Sequence, residues 1–390
     1  MKNSLIHIGI DATNIRQGGG ITHLSQILAT LIPQEHNIEK ITIWGTRNIQ
    51  NNLPNLPWLE FKSNFFINFL LSKFLWQLIF LPFALRKNKC DILFSPGGIL
   101  PILIDMPTVT MSQNMLPFDK KARSHFGIFS LMRIKLKFIY FLQLRSFQKA
   151  NGVIYLTNYA YNAINPLIQT KKCNCIIPHG IESRFITFPK FQEPILKYNE
   201  IDRYKLLYIS ILMPYKHQLE VAKAISILRL NGFPVEIRFV GMSWGSYGTK
   251  FKSYINKIDP KSEFIFWDGP EKFEGINNYY KSTDAFIFAS TCENLPNILI
   301  EAMASGIPIA CSNRQPMTDV LGEFGFYFDP LNPEDIANTI IKMINDKDLR
   351  TKNSIASFKL IKDFTWHNCS HQTFSFISSI VNKNQSYDIQ

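Results

Sequence analysis

Residues 292–313 read "CENLPNILIEAMASGIPIACSN", and the way this stretch folds decides the architecture around it. The run before it, "AFIFAS" (285–290), is short, apolar and aromatic, which predicts a buried strand. Pro296 suits the first turn of a helix, and Asn294 suits its cap. Leu295, Ile298, Leu299, Ala302 and Met303 mark an apolar face, Gly306 suits the position just past the helix end, and Pro308 stops it. "PIACSN" (308–313) predicts the next strand. The unit is therefore strand, loop, helix, strand. Glu293 falls in the loop after a strand's carboxyl end, and Glu301 falls one to two turns inside the helix. In an open parallel sheet that edge is where ligands bind, and a helix start offers free N–H groups to a phosphate. Two carboxylates at this spacing can accept sugar hydroxyls while the helix start takes a phosphate between them. A capping glutamate and a solvated helix glutamate fit the same spacing, and spacing alone does not choose.

Outward from this stretch the pattern repeats. "LIHIGIDA" (5–12) predicts a strand, and "GGGITHLSQILATLI" (18–32) a glycine loop entering a helix. "KITIWG" (40–45), "CDILFSPGG" (90–98), "PTVTMSQNM" (107–115), "GVIYLT" (152–157) and "CNCIIPHG" (173–180) predict further strands. The alternation then restarts: "KLLYISIL" (205–212) as strand, "QLEVAKAISILRLNG" (218–232) as helix, "VEIRFVG" (235–241) and "EFIFWDG" (263–269) as strands. Alternating strands and helices imply doubly wound α/β sheets. The polar run "KFQEPILKYNEIDRY" (190–204) reads as a linker. The expected domains are 1–195 and 203–365, two Rossmann-like domains facing a cleft, with a C-terminal helix over 366–390 packing back on the first.

With 390 residues, two domains are the natural division. Six scattered cysteines (90, 173, 175, 292, 311, 369) offer neither a disulfide framework nor a zinc ribbon, since the one Cys-x-Cys lacks a second pair. They fit a reducing compartment. The N-terminal apolar run is too short for a signal peptide. Net charge is +12, and its placement is informative: residues 1–195 hold 21 Lys/Arg against 9 Asp/Glu, while 196–390 hold 21 of each. Residues 120–149 carry eight basic side chains and no acid. A basic half beside a neutral half points to an anionic surface partner. The stretch "FFINFLLSKFLWQLIFLPFAL" (65–85) has about membrane length, but Asn68, Lys73, Gln77 and Pro82 interrupt it, so it is expected as a buried helix of the first domain. "FGIFSLMRIKLKFIYFLQLRSFQK" (126–149) mixes bulky apolar residues with cations, which suits either an anionic membrane interface or a basic helix over the core.

In order along the chain, "RQGGGITHL" (16–24), "IPHGIE" (177–182), "LLYISILMPYKHQLEVAKA" (206–224), "FWDGPEKFEGINNYYKSTDAFIFAS" (266–290) and "CENLPNILIEAMASGIP" (292–308) resemble the elements of retaining glycosyltransferases of family 4, with the E-x7-E signature and the GT-B fold. The ordered set, spanning nearly the whole chain, carries the resemblance. It implies roles. Glu293 would hold a donor-sugar hydroxyl, with the Asn294 and Leu295 amides nearby. Glu301 would hold the ribose hydroxyls, and the Asn297 and Ile298 amides would touch the diphosphate. Lys216 would neutralise the diphosphate as the bond to the sugar breaks, which makes Lys216 and Glu293 the catalytic pair. Gly18, Gly19 and Gly20 would let backbone approach donor phosphate or acceptor. Gly241 and Gly269 would sit near the base. Gly97, Gly98, Gln113 and Asn114 would line the acceptor and sugar side.

The chain also departs from that pattern. The family's arginine a few residues before the lysine is replaced by Ile211-Leu212-Met213-Pro214, leaving Lys216 to act alone or with Arg238, Arg314 or His217. The family's first-domain histidine is replaced by an amide pair in "MSQNMLPFD" (111–119), and His179 stands where asparagine is usual. Front-face retention needs no protein base, because the leaving phosphate takes the acceptor's proton.

The resulting expectation is a retaining hexosyltransferase acting on a lipid-linked glycan in surface-polysaccharide (O-antigen or capsule) synthesis. Its donor would be a nucleotide-diphosphate sugar, with no metal or other cofactor. The protein would be cytoplasmic and held to the inner membrane face through 120–149. A GT-B epimerase or hydrolase, or a non-catalytic sugar-nucleotide binder, are the alternatives. A glycosidase is disfavoured because its two acids must flank one bond. A dehydrogenase is disfavoured because "GGGITHL" lacks the G-x-G-x-x-G spacing. Nucleic-acid binding is not expected, since no recognition motif accompanies the charge.

Overall fold

The computed structural model describes residues 5–15, 18–63, 75–127, 130–168, 173–243 and 245–387. The chain divides into two compact units, Met1–Gly180 with Phe364–Gln390, and Ile181–Asp363. The first holds a seven-stranded parallel sheet built from β1 (Ile6–Asp11), β2 (Ile38–Trp44), β3 (Leu59–Lys62), β4 (Ile92–Ser95), β5 (Thr108–Ser112), β6 (Gly152–Tyr155) and β7 (Cys173–Ile176). Its order is β3-β2-β1-β4-β5-β6-β7, with Ile8 of β1 opposite Ile41 of β2 and Ile92 of β4. The second holds a six-stranded parallel sheet of β8 (Tyr204–Ile209), β9 (Val235–Val240), β10 (Ile265–Gly269), β11 (Ala285–Phe288), β12 (Ile309–Ser312) and β13 (Phe326–Phe328), in the order β10-β9-β8-β11-β12-β13. Both are the doubly wound α/β sheets that the alternation implies. Central strands such as β4, β6, β11 and β12 are buried along their whole length, which is why they read as unbroken apolar runs.

Two short edge strands escaped the sequence reading. β3 ("LEFK") is only half-buried, and β13 ("FYF") is three residues long, so neither has a run that stands out from its surroundings.

Strand order reverses direction between β1 and β4 in the first unit and between β8 and β11 in the second. At these switch points the loops leaving adjacent strands turn to opposite faces and open a crevice. Gly18–Gly20 follow β1 and Gly97–Gly98 follow β4; Lys216 follows β8 and Glu293 follows β11.

The unit boundary differs from the expected one. Residues 181–204, read as the end of the first domain and a linker, belong to the second unit. Their polar groups are bonded into it. The Thr187 N–H donates to the Ala304 carbonyl (2.9 Å), and the Tyr198 hydroxyl meets Asp284 (3.2 Å). The fully buried Arg350 donates to Gln192 Oε1 (3.3 Å) and the Glu193 carbonyl (2.6 Å). The helix Trp366–Tyr387 belongs to the first unit. Its Ser370 hydroxyl donates to the Ile27 carbonyl (2.6 Å), and Phe376 lies where a Cβ on Gly152 of β6 would come within 2.8 Å of its ring.

Of the 65–85 segment, residues 65–74 lie outside the described residues. The remainder is a wide turn over Trp76–Phe80 running into the helix Leu81–Lys87. It is amphipathic rather than wholly buried: Trp76, Gln77, Leu78, Leu81 and Leu85 face inward, while Leu75, Ile79, Phe80 and Phe83 are exposed. Among the described residues no helix is long and apolar enough to cross a membrane.

Candidate functional site

In the second unit, hydrogen bonds tie the loop after β8 to the loop after β11. The buried Tyr208 hydroxyl donates to the Lys216 carbonyl and accepts from the Ala289 N–H (3.3 Å). The Thr291 N–H donates to the Tyr215 carbonyl (2.9 Å). His217 takes a left-handed conformation (φ 52°) at the head of the helix Gln218–Leu230, with its Nε2 3.0 Å from Thr291 Oγ1. This bracing brings the two residues that head the expected catalytic set into contact: Lys216 Nζ donates to Glu293 Oε1 in an ion pair. Lys216 is only 7% exposed, and its ammonium lies 5.4 Å from the centre of the Phe288 ring. A buried pair of this kind is tightly coupled, because removing either partner strands a charge in a poor solvent.

The helix Asn297–Ala304 starts at Asn297 with Pro296 in the cap position, so Asn294 is not its cap. The chain enters the helix through the proline, and Asn294 and Leu295 are buried beneath the loop. The Asn297 N–H is already bonded to the Leu295 carbonyl (3.0 Å). It serves the loop rather than pointing out to a ligand, while Ile298 occupies the first turn as read. At the other end Gly306 is left-handed (φ 63°), and a Cβ there would lie 2.6 Å from the Pro189 backbone N.

Glu301 is buried one turn into that helix, facing Tyr280 from the helix Ile276–Lys281. The Tyr280 oxygen lies 3.1 Å from both Glu301 Oε2 and the Ile298 carbonyl. A tyrosine has one proton and here faces two acceptors. Its single proton goes to one or the other, Glu301 Oε2 or the Ile298 carbonyl. Burial pushes the Glu301 carboxyl up to about 8, against the opposing pull of the hydrogen bond that Tyr280 donates and of the Arg184 charge. Arg184 and Glu182 form an ion pair (3.1 Å), and the neighbouring Phe185 packs edge-on against Tyr280. Glu182, Arg184 and Tyr280 were not singled out from sequence, where they sit 119, 117 and 21 positions from Glu301.

Gly241 and Gly269 meet at the same edge, the Gly241 N–H donating to the Gly269 carbonyl (2.7 Å). Gly241 has φ 142°, and a Cβ on it would fall 2.0 Å from the Ser210 carbonyl oxygen. In the place of the missing arginine, Leu212 and Met213 are buried, and the Leu212 N–H donates to the Met242 carbonyl (2.9 Å). Two of its three candidate substitutes are engaged in ion pairs, Arg238 with Asp268 (3.1 Å) and Arg314 with Asp329 (3.0 Å). His217 is the one braced beside Lys216. The chain's Asp346-Lys347-Asp348 is an Asp-x-Asp, but Asp346 caps the helix Lys347–Leu360 by accepting from the Leu349 N–H (2.8 Å).

In the first unit, Gly18 (φ 69°) precedes the helix Gly19–Ala29, and a Cβ on Gly20 would lie 3.4 Å from Gln113 Oε1. The glycine loop and Gln113 are thus neighbours. Gln113 Nε2 lies 3.3 Å from Nδ1 of the fully buried His23, whose ring lies tilted by 31° against His179 (4.6 Å between centroids). Asn114 spends its carbonyl on its own loop, accepting from the Leu116 N–H (2.9 Å). Gly97 packs on Asn14, where a Cβ would come within 2.8 Å of the Asn14 Cβ, and Gly98 (φ 79°) packs on Gln143. A polar chain unseen in the sequence links these loops. Asn14 donates to Gln77 Oε1 (2.9 Å), Gln77 donates to buried Asp11 (2.5 Å), and Thr13 donates to the same carboxylate (2.6 Å). A lone Gln inside an apolar run was its only signal.

Residues 192–359 match the family model described as "Glycosyl transferases group 1". The chain is 28% identical to the O-antigen chain mannosyltransferase B of Escherichia coli over 26% of its own length and 27% of that relative's, so it spans about a quarter of that protein. It is 24% identical to the Escherichia coli UDP-Gal:alpha-D-GlcNAc-diphosphoundecaprenol alpha-1,3-galactosyltransferase, over 76% of this chain and 77% of the other. Among solved structures, Anabaena HepE in complex with UDP superposes with a TM-score of 0.70 at 15% identity, covering 96% of this chain and all of HepE. The chain therefore has the fold of GT-B glycosyltransferases, and residues 192–359, in its second unit, are similar to the glycosyl transferases group 1 family.

Proposed function

We propose that the protein is a retaining glycosyltransferase that moves a hexose from a nucleotide-diphosphate sugar to a glycan hydroxyl. The observation that carries this is the buried Lys216–Glu293 pair at the switch point of the second sheet, one helical stretch from the Glu301–Tyr280 site. The pair is a stored charge match. A donor diphosphate arriving at Lys216 replaces the carboxylate, which frees Glu293 to accept a sugar hydroxyl. The bond between the sugar's anomeric carbon and the diphosphate oxygen then breaks, and the oxygen keeps the electron pair. Lys216 stabilises that growing charge. The acceptor oxygen bonds to the same face of the sugar, and its proton passes to the departing diphosphate. Glu301 binds the ribose hydroxyls. No metal is required in this scheme, and activity that survives chelator is the expected outcome.

The acceptor is proposed to be a lipid-linked glycan of surface-polysaccharide synthesis, presented at the cytoplasmic membrane face. The galactosyltransferase above is named for a diphosphoundecaprenol-linked substrate, and the mannosyltransferase for the O-antigen chain. The helix Leu131–Lys149 exposes Leu131, Ile134, Phe138 and Phe141, spaced along one face, with Lys135 and Lys137 beside them. Arg145 of that helix donates to the carbonyl of exposed Ile102 (2.9 Å), which ties it to the exposed Ile102–Leu103 pair. Apolar side chains ringed by cations suit an anionic lipid surface.

A thermal-shift panel of UDP, GDP, ADP and their sugars tests the donor reading, since a ligand of the folded state raises the unfolding midpoint. One nucleotide family is expected to shift it, and the matching sugar donor to support transfer with retention. Folded protein that responds to none of them would reject the reading. Donor hydrolysis or epimerisation without acceptor would select the alternative enzymes instead.

A further inference from the structure

The helix Trp366–Tyr387 carries His367 and His371, four residues apart and so on one helical face. Against it packs the short turn Pro33–His36, which ends just before β2. The His36 and His371 rings meet edge-on with centroids 5.1 Å apart, and the His367 ring follows 6.5 Å from that of His371. One ligand atom each from Glu35, His36 and His371 lie within 4.8 Å of one another. His36 is buried and fixed: its carbonyl accepts from the Ser378 hydroxyl (3.1 Å), and its Nδ1 lies 3.4 Å from Ser375 Oγ. Metal-binding imidazoles are commonly oriented by such an outer partner. Glu35, His367 and His371 are exposed, which gives an ion a way in.

We propose that Glu35, His36 and His371 bind one divalent transition-metal ion, with zinc the best-suited occupant and His367 within reach as a further donor. Two imidazoles and a carboxylate form a mixed N/O set that suits zinc and its first-row neighbours rather than magnesium or calcium. Donor atoms on tetrahedral zinc stand about 3.3 Å apart, given bonds of about 2.0–2.1 Å. The present spread closes to that by rotating the exposed Glu35 and His371 side chains about a buried, fixed His36. The turn precedes β2, so it lies at the amino edge of the first sheet, away from the glycine loops at the carboxyl edge. The ion would act as a clip joining residues 335 positions apart, not as a participant in sugar chemistry.

The test uses the untagged full chain, stripped with chelator and dialysed against zinc, or against cobalt for its visible spectrum. One equivalent of metal is expected, with a rise in unfolding midpoint and a cobalt spectrum of nitrogen and oxygen ligands. His371→Ala is expected to keep the fold, because the side chain is exposed. It should weaken binding about tenfold or more and abolish the rise. Glu35→Gln, also exposed, should weaken binding by a smaller factor. Failure to bind a stoichiometric ion would overturn the proposal. So would binding undiminished in both variants, which would place the ion elsewhere.

Discussion

Replacing Glu301 by glutamine should make the protein more stable in mild alkali and leave it nearly unchanged in acid. The reason lies in the burial of the Glu301 carboxyl, which disfavours its charged form. The Glu301 carboxyl titrates near 4.5 in the unfolded chain and at about 8 in the folded one. Between those values the folded state holds a proton that the unfolded state has released, so stability falls as pH rises through the window. Below it both states are protonated and the group contributes nothing; above it the penalty is complete. At about 1.4 kcal/mol per pH unit, the full penalty is about 5 kcal/mol, an upper bound because local relaxation and water entry reduce it. Glutamine carries no titrating proton and still offers Tyr280 a partner. The assay is urea unfolding of wild type and Glu301→Gln near pH 5 and near pH 9, following the transition that nucleotide raises. The variant should gain several kcal/mol over wild type only at the higher pH. It should also bind nucleotide more weakly, since the glutamine amide offers the ribose hydroxyls one acceptor oxygen in place of two. A difference between the two chains that stays constant with pH would show that Glu301 ionises normally, and the reasoning from its burial would be wrong.

Glu293→Ala and Lys216→Met should each abolish transfer, and each should destabilise the second unit by about 3–5 kcal/mol by stranding a buried charge. The double variant Lys216→Met with Glu293→Leu should regain much of that stability without regaining activity; denaturant midpoints beside turnover separate the two effects. Gly241→Ala should prevent normal folding of the second unit, because its Cβ would meet the Ser210 carbonyl and its φ of 142° disfavours any side chain; a normal yield of folded protein with unchanged unfolding midpoint would contradict that. Phe138→Glu with Phe141→Glu should abolish flotation with anionic vesicles while sparing transfer to a short water-soluble acceptor. Wild-type protein that fails to float with such vesicles at low salt would reject the membrane surface.

The sheets were legible because their central strands are buried on both faces and leave unbroken apolar runs, as in "AFIF" and "ILFS". Glycines stood out where the chain turns at the switch points. Lys216 and Glu293 could each be placed after a strand, but their direct pairing could not, since it depends on β8 and β11 being neighbours across 77 residues. Glu301 could be placed on its helix, whereas Tyr280, its hydrogen-bond partner, reads in sequence as one of two adjacent tyrosines in a polar stretch. Polarity misled at 190–204, where hydrogen bonding to buried groups such as Arg350 looks, in sequence, the same as exposure. The Asp11–Gln77–Asn14 chain joins the end of β1 to the distant turn Trp76–Phe80, and no local pattern announces it.

The division of the chain has a consequence for its synthesis. The second unit is one continuous run, Ile181–Asp363, while the first is interrupted and completed only by the helix Trp366–Tyr387. On the ribosome the usual order, in which the earlier-made domain folds first, is reversed here. The first unit must wait, with the face around Gly152, Ile27 and His23 lacking its cover, until after the second has emerged and can already have closed. Nascent chains stalled before residue 366 should therefore carry a finished second unit and a first unit that still needs a chaperone.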